Sequence, residues 1–169
     1  TGAVGAKLLY PDHKIQHAGV ILGLGGVAGH AYLLKDENYP GQMGRALLMQ
    51  NYSAVTAACM VVEKAKYEQV GGLNENELKI AFNDIDFCIR LMQAGYRNVW
   101  SPNAKLIHRE SVSRGYEDTL EKQKRFKNEM DYMRETWGEI LENDPAYNPN
   151  LSLDHEAFTL AFPPRQPVL

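Results

Sequence analysis

Residues 80–90 have the sequence IAFNDIDFCIR, and this segment constrains the fold more than any other part of the chain. From Asp84 to Gly95, apolar residues recur at the spacing of one helix face, which predicts an amphipathic helix. Phe82 indicates that this helix begins directly after a buried segment. In an open α/β sheet, such a strand-to-helix junction borders the ligand crevice. An acidic residue at this junction is therefore a candidate general base.

Both aspartates of this segment also have a purely structural interpretation. Asn83 can cap the helix, and Asp84 in the first turn suits the positive end of the helix dipole. Asp86 and Arg90 are spaced for an ion pair on one helix face. From spacing alone, the structural and the catalytic interpretations of Asp84 both stay open.

Short apolar runs supply the predicted sheet. Residues 4–10 and 15–22 flank a proline-containing turn, so they are expected to form a hairpin. The continuous apolar run 54–62 is typical of a strand covered on both faces, and it is predicted to be the central strand. Two further short strands are expected at residues 98–101 and 105–108, on either side of a proline.

Two more helices are predicted. A short one at residues 64–70 is stopped by two glycines, and the longest spans about 118–141. The apolar stripe of the longest helix consists of Phe126, Met130, Met133, Trp137 and Leu141. Prolines interrupt the tail at residues 144–164, so we expect it to run extended. Strands that alternate with helices, without an internal repeat, indicate an α/β chain.

The glycine-rich segment 23–29 matches the letters of a dinucleotide-binding fingerprint at Gly23, Gly25 and Ala28. No good helix follows, because residues 35–41 read as a loop, and the preceding run resembles a hairpin arm. The segment is therefore predicted to be a flexible glycine loop without a dinucleotide site.

Composition excludes several functional classes. Apolar residues make up 44% and charged residues 23%, as in ordinary globular domains, and a net charge of −3 gives no reason to expect nucleic acid as a partner. Cys59 and Cys88 lie in apolar segments without the spacing of a metal site, which favours reduced thiols and a cytoplasmic location. No apolar run is long enough to span a bilayer, while peripheral membrane association stays open.

His108 and the polar residues after it form a second candidate site. A lone histidine after an apolar run is either a hydrogen-bonded structural residue or a metal ligand. Arg114 follows together with two serines on a glycine-containing segment, which suits phosphate oxygens but also an ordinary solvated loop. The remaining histidines, His13, His17, His30 and His155, show no ligand spacing.

The order of motifs along the chain resembles the carboxyl-terminal half of a family-2 glycosyltransferase. The motifs are GAKLLYP at 5–11, IQHAGV at 15–20, TAACMVV at 56–62, VGGLNE at 70–75, NDIDFCIR at 83–90, AGYR at 94–97, PNA at 102–104, then His108 and SVSRG at 111–115. Trp137 with Gly138 and the segment 144–151 are similar to the tails of bacterial members that act on surface polysaccharides and O-antigen. The resemblance covers nearly the whole chain.

This resemblance implies a partial GT-A fold, which is an α/β, Rossmann-like mixed sheet with flanking helices, a long C-terminal helix and an extended tail. Residues 1–115 would be the acceptor-side half of the glycosyltransferase domain. Residues 116–169 would be the C-terminal helix and a proline-containing tail that pack on it.

The resemblance also implies roles for single residues. Asp84 matches the base that deprotonates the acceptor hydroxyl, and Asn83 stands where the family often has glutamate. His108 matches a histidine that completes the divalent-metal site in many GT-A enzymes, and Arg114 lies on a loop that can close over the diphosphate. The expected substrate-binding residues are Asn83, Asp86, Thr56 and Arg114.

The implied enzyme is inverting and transfers a sugar from a nucleotide-sugar donor to a glycan or lipid-linked acceptor, with Mg or Mn as the divalent metal. Its Asp-x-Asp metal motif and nucleotide-binding strands would lie in a donor-binding half upstream of Thr1. The chain, which begins without methionine, is therefore expected to be a fragment that is inactive alone. The cytoplasm is the expected location, with the inner face of the membrane as an alternative.

A noncatalytic function is the alternative to the enzyme. The same scaffold could serve as a binding or protein-interaction module, in which the long helix and the proline-rich tail dock a partner. An upstream Asp-x-Asp motif would favour the enzyme.

Overall fold

In the computed structural model, which describes residues 1–109, 119–154 and 156–165, the fold is organised around strand β1 (Ala3–Leu9). One edge of β1 pairs in parallel with β7 (Asn98–Ile107). The other edge pairs antiparallel with β6 (Met60–Val62) and then with β2 (Ile15–His17). Strand β5 (Gln50–Tyr52) adds antiparallel to β7 and completes a mixed sheet of five strands.

The predicted hairpin is confirmed by the antiparallel pair of β1 and β2, but its second arm is interrupted. Gly19, with φ of 103°, ends the run, and β3 (Val20–Leu22) then pairs with β4 (Ala28–His30) in a separate small sheet. A Cβ at position 19 would lie 2.3 Å from Cδ2 of Tyr52. Only glycine combines this close approach with a positive φ at no steric cost.

The glycine-rich segment between β3 and β4 forms a tight turn. Leu24–Gly26 is a 3₁₀ turn, and β4 follows it instead of a helix. A Cβ on Gly23 would lie 2.0 Å from the carbonyl oxygen of Leu141, so this glycine lets the end of the long helix approach. The expectation that no helix follows the glycines is confirmed, because β4 begins at Ala28.

The prediction of a central strand at residues 54–62 is wrong. Ala54 and Val55 are fully buried outside the five-stranded sheet, Ala57–Cys59 is a 3₁₀ turn, and only β6 is a strand. Val55 is buried because it packs across β1, where a Cβ on Gly5 would lie 2.6 Å from the Cβ of Val55. Val61 is exposed, so the apolar run is not covered on both faces over its length.

The sequence predicts two short strands around Pro102, whereas the structure has the single strand β7. The register of β7 against β1 shifts after Ser101 and resumes at Lys105, so residues 102–104 bulge out of the ladder. Pro102 lies within this bulge, where its missing N–H leaves no ladder partner unsatisfied.

Three α-helices of the described residues lie where the sequence predicts them. α1 (Lys64–Gln69) ends before two glycines with positive φ, α2 (Asn83–Gln93) buries its apolar face, and α3 (Leu120–Glu142) is the longest. In the predicted stripe of α3, Met133 and Leu141 are buried, and Met130 and Trp137 pack against the core. The expected mixed α/β class, with helices beside a mixed sheet and a long C-terminal helix, is confirmed.

Asp144 fastens the tail that follows α3 to β3 and to Ser53, the residue after β5. Its carboxylate accepts hydrogen bonds from the amides of Leu22 (2.7 Å) and Ala146 (2.7 Å), and from the hydroxyl of Ser53. Burial raises the pKa of Asp144, although these donors oppose the change. The described part of the tail contains no helix, as its prolines predict.

Asn98 joins four parts of the chain through its side chain, which is 1% exposed at the start of β7. Its Oδ1 accepts a hydrogen bond from the amide of Ala3 in β1 (3.2 Å). Its Nδ2 donates to the carbonyl oxygens of Ser53, after β5, and Cys88, in α2 (both 2.9 Å). The sheet and the helix that carries Asp84 are therefore held together at one side chain.

We expect Asn98→Ala to lower the free energy of unfolding by about 3 kcal/mol or more. The change leaves one amide and two carbonyl groups without their partner, and each unsatisfied buried group costs about 1–3 kcal/mol. Urea denaturation measures the difference. Asn103→Ala, at an exposed position in the bulge of the same strand, is the matched control and should cost less than about 0.5 kcal/mol. Equal losses in the two variants would contradict the role given to Asn98.

Candidate active site around Asp84

Asp84 is the second residue of α2 and is half-buried. Its Oδ1 accepts a hydrogen bond from the amide of Ile85 (3.0 Å), and its Oδ2 accepts one from the amide of Ala57 (2.9 Å). A carboxylate has about four acceptor positions, so these two contacts orient the group without saturating it. The remaining capacity allows Asp84 to accept a proton from a bound hydroxyl group.

The residue before the helix is Phe82, and the prediction that Asn83 caps α2 is wrong. Asn83 is the first helical residue, whereas Phe82 is the N-cap, with φ of 62° and ψ of 2° and no capping side chain. A left-handed conformation at a residue other than glycine costs about 1–3 kcal/mol and persists only where the surroundings enforce it. The ring of Phe82 packs against Phe126 of α3, with a centroid distance of 5.4 Å.

Glu129 of α3 holds the segment that leads into α2. Its side chain is buried, and its two carboxylate oxygens accept hydrogen bonds from the amides of Ile80 (3.1 Å) and Ala81 (3.0 Å). No local sequence pattern predicts this contact, because nothing near residue 129 links it to residues 80 and 81. Glu129 therefore contributes to the position of Asp84 from a separate helix.

Asp86 performs a structural role in the same helix. Its Oδ2 accepts hydrogen bonds from Nε (3.0 Å) and Nη2 (2.7 Å) of Arg90, which confirms the predicted ion pair. Its Oδ1 accepts a hydrogen bond from the indole nitrogen of Trp137 in α3 (2.9 Å). Arg90 also donates to the carbonyl oxygens of Val70 and Gly72. Asp86 therefore ties α2 to α3, and Arg90 ties α2 to the segment after α1.

A cleft of about 160 Å³ brings Asp84 together with residues from three other segments. The lining consists of Val20, Ala28, Gly29, His30, Thr56, Phe82, Asp84 and Ile85. Two predicted site residues, Asp84 and Thr56, therefore meet. Complete ligand sites usually measure about 300–1,000 Å³, so the cleft has room for part of a ligand such as one hydroxyl-bearing group.

Thr56 organises the backbone beside Asp84. Its hydroxyl oxygen accepts a hydrogen bond from the amide of Ala58 (3.3 Å) and starts the 3₁₀ turn that follows. This turn presents the amide of Ala57 to the carboxylate of Asp84. Thr56 thus acts on Asp84 through the backbone, in addition to lining the cleft.

His30 and His17 are functional candidates that the sequence analysis did not select. His30 lines the cleft, and its Nδ1 lies 2.9 Å from Nδ1 of His17. His17 is fully buried, and burial together with the neighbouring His30 holds its pKa well below the usual value for histidine. Their sequence spacing carries no signal, because only the pairing of β3 with β4 brings His30 to His17.

His108 lies at the end of β7 and is not among the residues that line the cleft. Its backbone amide donates to the carbonyl oxygen of Leu9 (2.9 Å), and its Nδ1 donates to Oε1 of Gln16 (2.8 Å). Metal-binding histidines commonly have such a partner on the nitrogen that does not bind the metal. Its role as a metal ligand stays a prediction. Arg114 lies outside the described residues.

A larger groove of about 740 Å³ includes Asp86 and Arg90 but not Asp84. The carboxylate and the guanidinium group in this groove already bind each other, and Asp86 is only 2% exposed. We therefore assign the candidate chemistry to the smaller cleft, where a carboxylate retains acceptor capacity.

Both cysteines are free thiols, as the sequence analysis predicts. Cys88 is fully buried in α2, and burial raises the pKa of its thiol to about 12. In the described ranges, none of the helices has the length and apolar character needed to cross a membrane.

Comparisons with known proteins find relatives that are much longer than this chain. No protein-family model matches the chain. The chain is 57% identical over 162 residues to the uncharacterized protein y4gI of Sinorhizobium fredii. The aligned region covers 96% of this chain and 18% of that protein. It is 35% identical over 153 residues to the O-antigen biosynthesis protein RfbC of Myxococcus xanthus. This aligned region covers 90% of this chain and 12% of that protein. The chain thus spans less than a fifth of these relatives.

We expect Asp86→Asn to lower the free energy of unfolding by about 3–5 kcal/mol. The change breaks a largely buried ion pair and leaves the charge of Arg90 uncompensated. Urea denaturation of the two forms measures this loss. The control is Asp154→Asn at an exposed position of the tail, where a change below about 0.5 kcal/mol is expected. A similarly small change at Asp86 would argue against its structural role.

Proposed function

We propose that this chain forms the acceptor-binding and catalytic-base half of an inverting, nucleotide-sugar-dependent glycosyltransferase of family 2. The observation that carries the proposal is the half-buried carboxylate of Asp84, which lines a cleft at the start of α2 and retains acceptor capacity. The relative named for O-antigen biosynthesis supports a role in bacterial surface polysaccharide or glycan synthesis. The activity of the whole protein is part of the proposal.

In the proposed mechanism, Asp84 accepts the proton of the acceptor hydroxyl while the hydroxyl oxygen attacks the anomeric carbon of the donor sugar. The bond from that carbon to the nucleotide diphosphate breaks, and attack from the opposite face inverts the configuration. The amides of Ala57 and Ile85 hold the carboxylate in one orientation, so little reorganisation is needed when the proton moves. Thr56 fixes the turn that carries Ala57.

The side chain of His108 fits one ligand position of a divalent metal. Because its Nδ1–H donates to Gln16, its Nε2 retains the lone pair that a metal requires. Mg²⁺ or Mn²⁺, when bound, would neutralise charge on the leaving diphosphate. The described residues contain no group of three His, Cys, Asp or Glu side chains suited to a metal, and we assign the other ligands to the donor-binding half.

The proposed partners follow from the separate roles of this chain and the donor-binding half. The donor-binding half would hold the nucleotide sugar, and Arg114 would close over its diphosphate. The acceptor would be a glycan or a lipid-linked sugar that reaches the cleft beside Asp84. We propose a cytoplasmic location at the inner face of the membrane, where nucleotide sugars and lipid-linked acceptors meet.

In the full-length protein, Asp84→Asn should lower kcat by about 100- to 10,000-fold, the contribution typical of a general base. Asparagine keeps the shape of the side chain and one acceptor oxygen. Loss of a charge at a helix terminus costs only about 0.3–1 kcal/mol, so the melting temperature should change little. Release of nucleotide diphosphate in the presence of acceptor measures kcat, and thermal unfolding measures stability.

Asp12→Asn, at an exposed turn, is the control for Asp84 and should keep wild-type turnover. Near-normal turnover of Asp84→Asn would overturn the assignment of the base. A large loss of stability would instead show that the carboxylate of Asp84 mainly stabilises α2. Absence of transfer by the wild-type protein would favour the noncatalytic binding module.

We expect His108→Ala to raise the Mn²⁺ concentration needed for half-maximal activity at least about tenfold, because a metal site loses affinity steeply when its shell is disturbed. Metal titration of the transfer rate measures this change, and circular dichroism checks the fold. His13→Ala removes an exposed histidine and serves as the control. An unchanged metal titration would make His108 a structural residue held by Gln16.

A further inference from the structure

We propose that a cavity beside the Asp84 cleft binds the apolar chain of a lipid-linked acceptor, while the sugar of that acceptor lies at Asp84. We name it the leucine cavity, a space of about 430 Å³ lined by residues of the segments 24–42 and 156–157, including Leu33 and Leu34. The inference rests on the proposed function, because that function places the acceptor hydroxyl at Asp84. It selects a lipid-linked acceptor over a free glycan.

The leucine cavity and the Asp84 cleft meet along strand β4. Both are lined by the three residues of this strand, Ala28, Gly29 and His30. The cleft measures about 160 Å³ and the leucine cavity about 430 Å³, whereas complete ligand sites usually measure about 300–1,000 Å³. A ligand that starts at Asp84 and extends along β4 therefore has a site of the usual size.

The lining of the leucine cavity suits a hydrocarbon chain. Its large apolar and aromatic residues are Leu24, Tyr32, Leu33, Leu34 and Tyr39. Its two charged residues bind each other, because Nζ of Lys35 lies 2.6 Å from Oε1 of Glu156. A sugar needs partners for several hydroxyl groups, whereas a hydrocarbon chain needs only apolar contact. The cavity therefore offers a ligand mainly apolar surface.

Hydrogen bonds to β2 hold the two leucines at the surface. Leu33 is 44% exposed and Leu34 is 59% exposed. The amide of Leu34 donates to the carbonyl oxygen of Ile15 (2.8 Å), and the amide of Ile15 donates to the carbonyl oxygen of Lys35 (2.7 Å). The exposure of these leucines is therefore a property of a fixed backbone.

The backbone of the same segment is strained. Leu34 has φ of 63° and Tyr32 has φ of 57°, and both residues line the leucine cavity. This left-handed conformation is unfavourable for residues with bulky side chains. Such strained residues cluster at sites that clamp ligands. An apolar side chain that is both exposed and strained points to a ligand at this position.

The tail of the chain supplies another wall of the leucine cavity. Glu156 and Ala157 line it. The next residue, Phe158, stacks on the ring of Tyr32 with centroids 4.7 Å apart, and its amide donates to the hydroxyl oxygen of Tyr147 (2.7 Å). The cavity therefore lies between two segments that are packed against each other.

Exposed apolar side chains continue along the chain beyond the cavity. Gln42 lines the cavity, and the exposed residues that follow it are Met43, Leu47, Leu48 and Met49. Exposed apolar patches mark contacts with lipid or with another protein. We infer that a lipid chain longer than the cavity continues over these residues. A protein on this surface, including the donor-binding half, would instead remove any preference for acceptors with a chain.

Acceptors that differ only in their alkyl chain test the inference in the full-length protein. The donors are UDP-glucose, GDP-mannose and dTDP-rhamnose, and the acceptors are the methyl and octyl glycosides of glucose, mannose and rhamnose, used below the concentrations at which they form micelles. Each buried methylene group raises affinity about fourfold. For the active pair, the octyl acceptor should therefore have a KM at least about tenfold below that of the methyl acceptor.

Leu34→Asn removes an apolar side chain from the lining and keeps the left-handed backbone, which asparagine tolerates. It should raise the KM of the octyl acceptor about fivefold or more and leave the KM of the methyl acceptor unchanged. Ala157→Leu places a larger side chain in the cavity wall and should have the same effect. Leu160→Asn makes the same change as Leu34→Asn at an exposed leucine outside the lining, so it should keep both wild-type values.

Photochemical labelling locates the bound chain without requiring turnover. The probe is an octyl glycoside with a diazirine at the end of its alkyl chain, irradiated with the full-length protein and analysed by peptide mass spectrometry. We expect the label in residues 24–49 or 156–157, and excess octyl glycoside should suppress it. A label mainly outside these residues would overturn the inference.

The outcomes separate this inference from the proposed function. Equal KM values for methyl and octyl acceptors would overturn the inference and leave the proposed function intact. A preference for octyl that survives in both Leu34→Asn and Ala157→Leu would also overturn it, and so would an equal rise in the KM of the methyl acceptor. Lack of transfer by the wild-type protein with every pair would overturn the proposed function, and label in the cavity would then support only the binding of an apolar chain.

Discussion

The position of Asp84 depends on one buried amide group, the side chain of Asn98. Three hydrogen bonds from this group reach β1, the segment after β5 and α2. An unpaired polar group would be costly at 1% exposure, whereas a fully satisfied network makes the interior rigid. Because the carbonyl group of Cys88 belongs to α2, the amide sets how that helix meets the sheet. The cleft lies at the first turn of that helix.

The long helix α3 supplies the second support. Glu129 binds the two amides before Phe82, and Trp137 binds Asp86 one turn into α2. The left-handed conformation of Phe82 lies between these two anchors and is unfavourable for a residue with a side chain. Fixed backbone on both sides compensates for it. The strain is thus located at the residue that directs Asp84 into the cleft.

Local patterns predicted contacts between residues that are close in sequence. They failed for contacts that depend on how distant segments of the chain pack together. The Asp86–Arg90 pair follows from helical spacing, and the structure confirms it. The expected cap at Asn83 is wrong, because the helix begins one residue earlier and Phe82 occupies the N-cap position. Of the run 54–62 only Ala54 and Val55 are buried, and Val55 packs across β1, a position that periodicity does not distinguish from one within the sheet.

The sequence by itself determined the α/β class, the approximate positions of α1, α2 and α3, and the acidic residue at the start of α2, because side-chain periodicity and short-range pairing are local properties. Only the tertiary structure decided that His30 and His17 meet at 2.9 Å and that Thr56 shares a cleft with Asp84. It also decided that Glu129 supports the segment before α2. These contacts join segments that are distant along the chain, and strand pairing and helix packing bring them together.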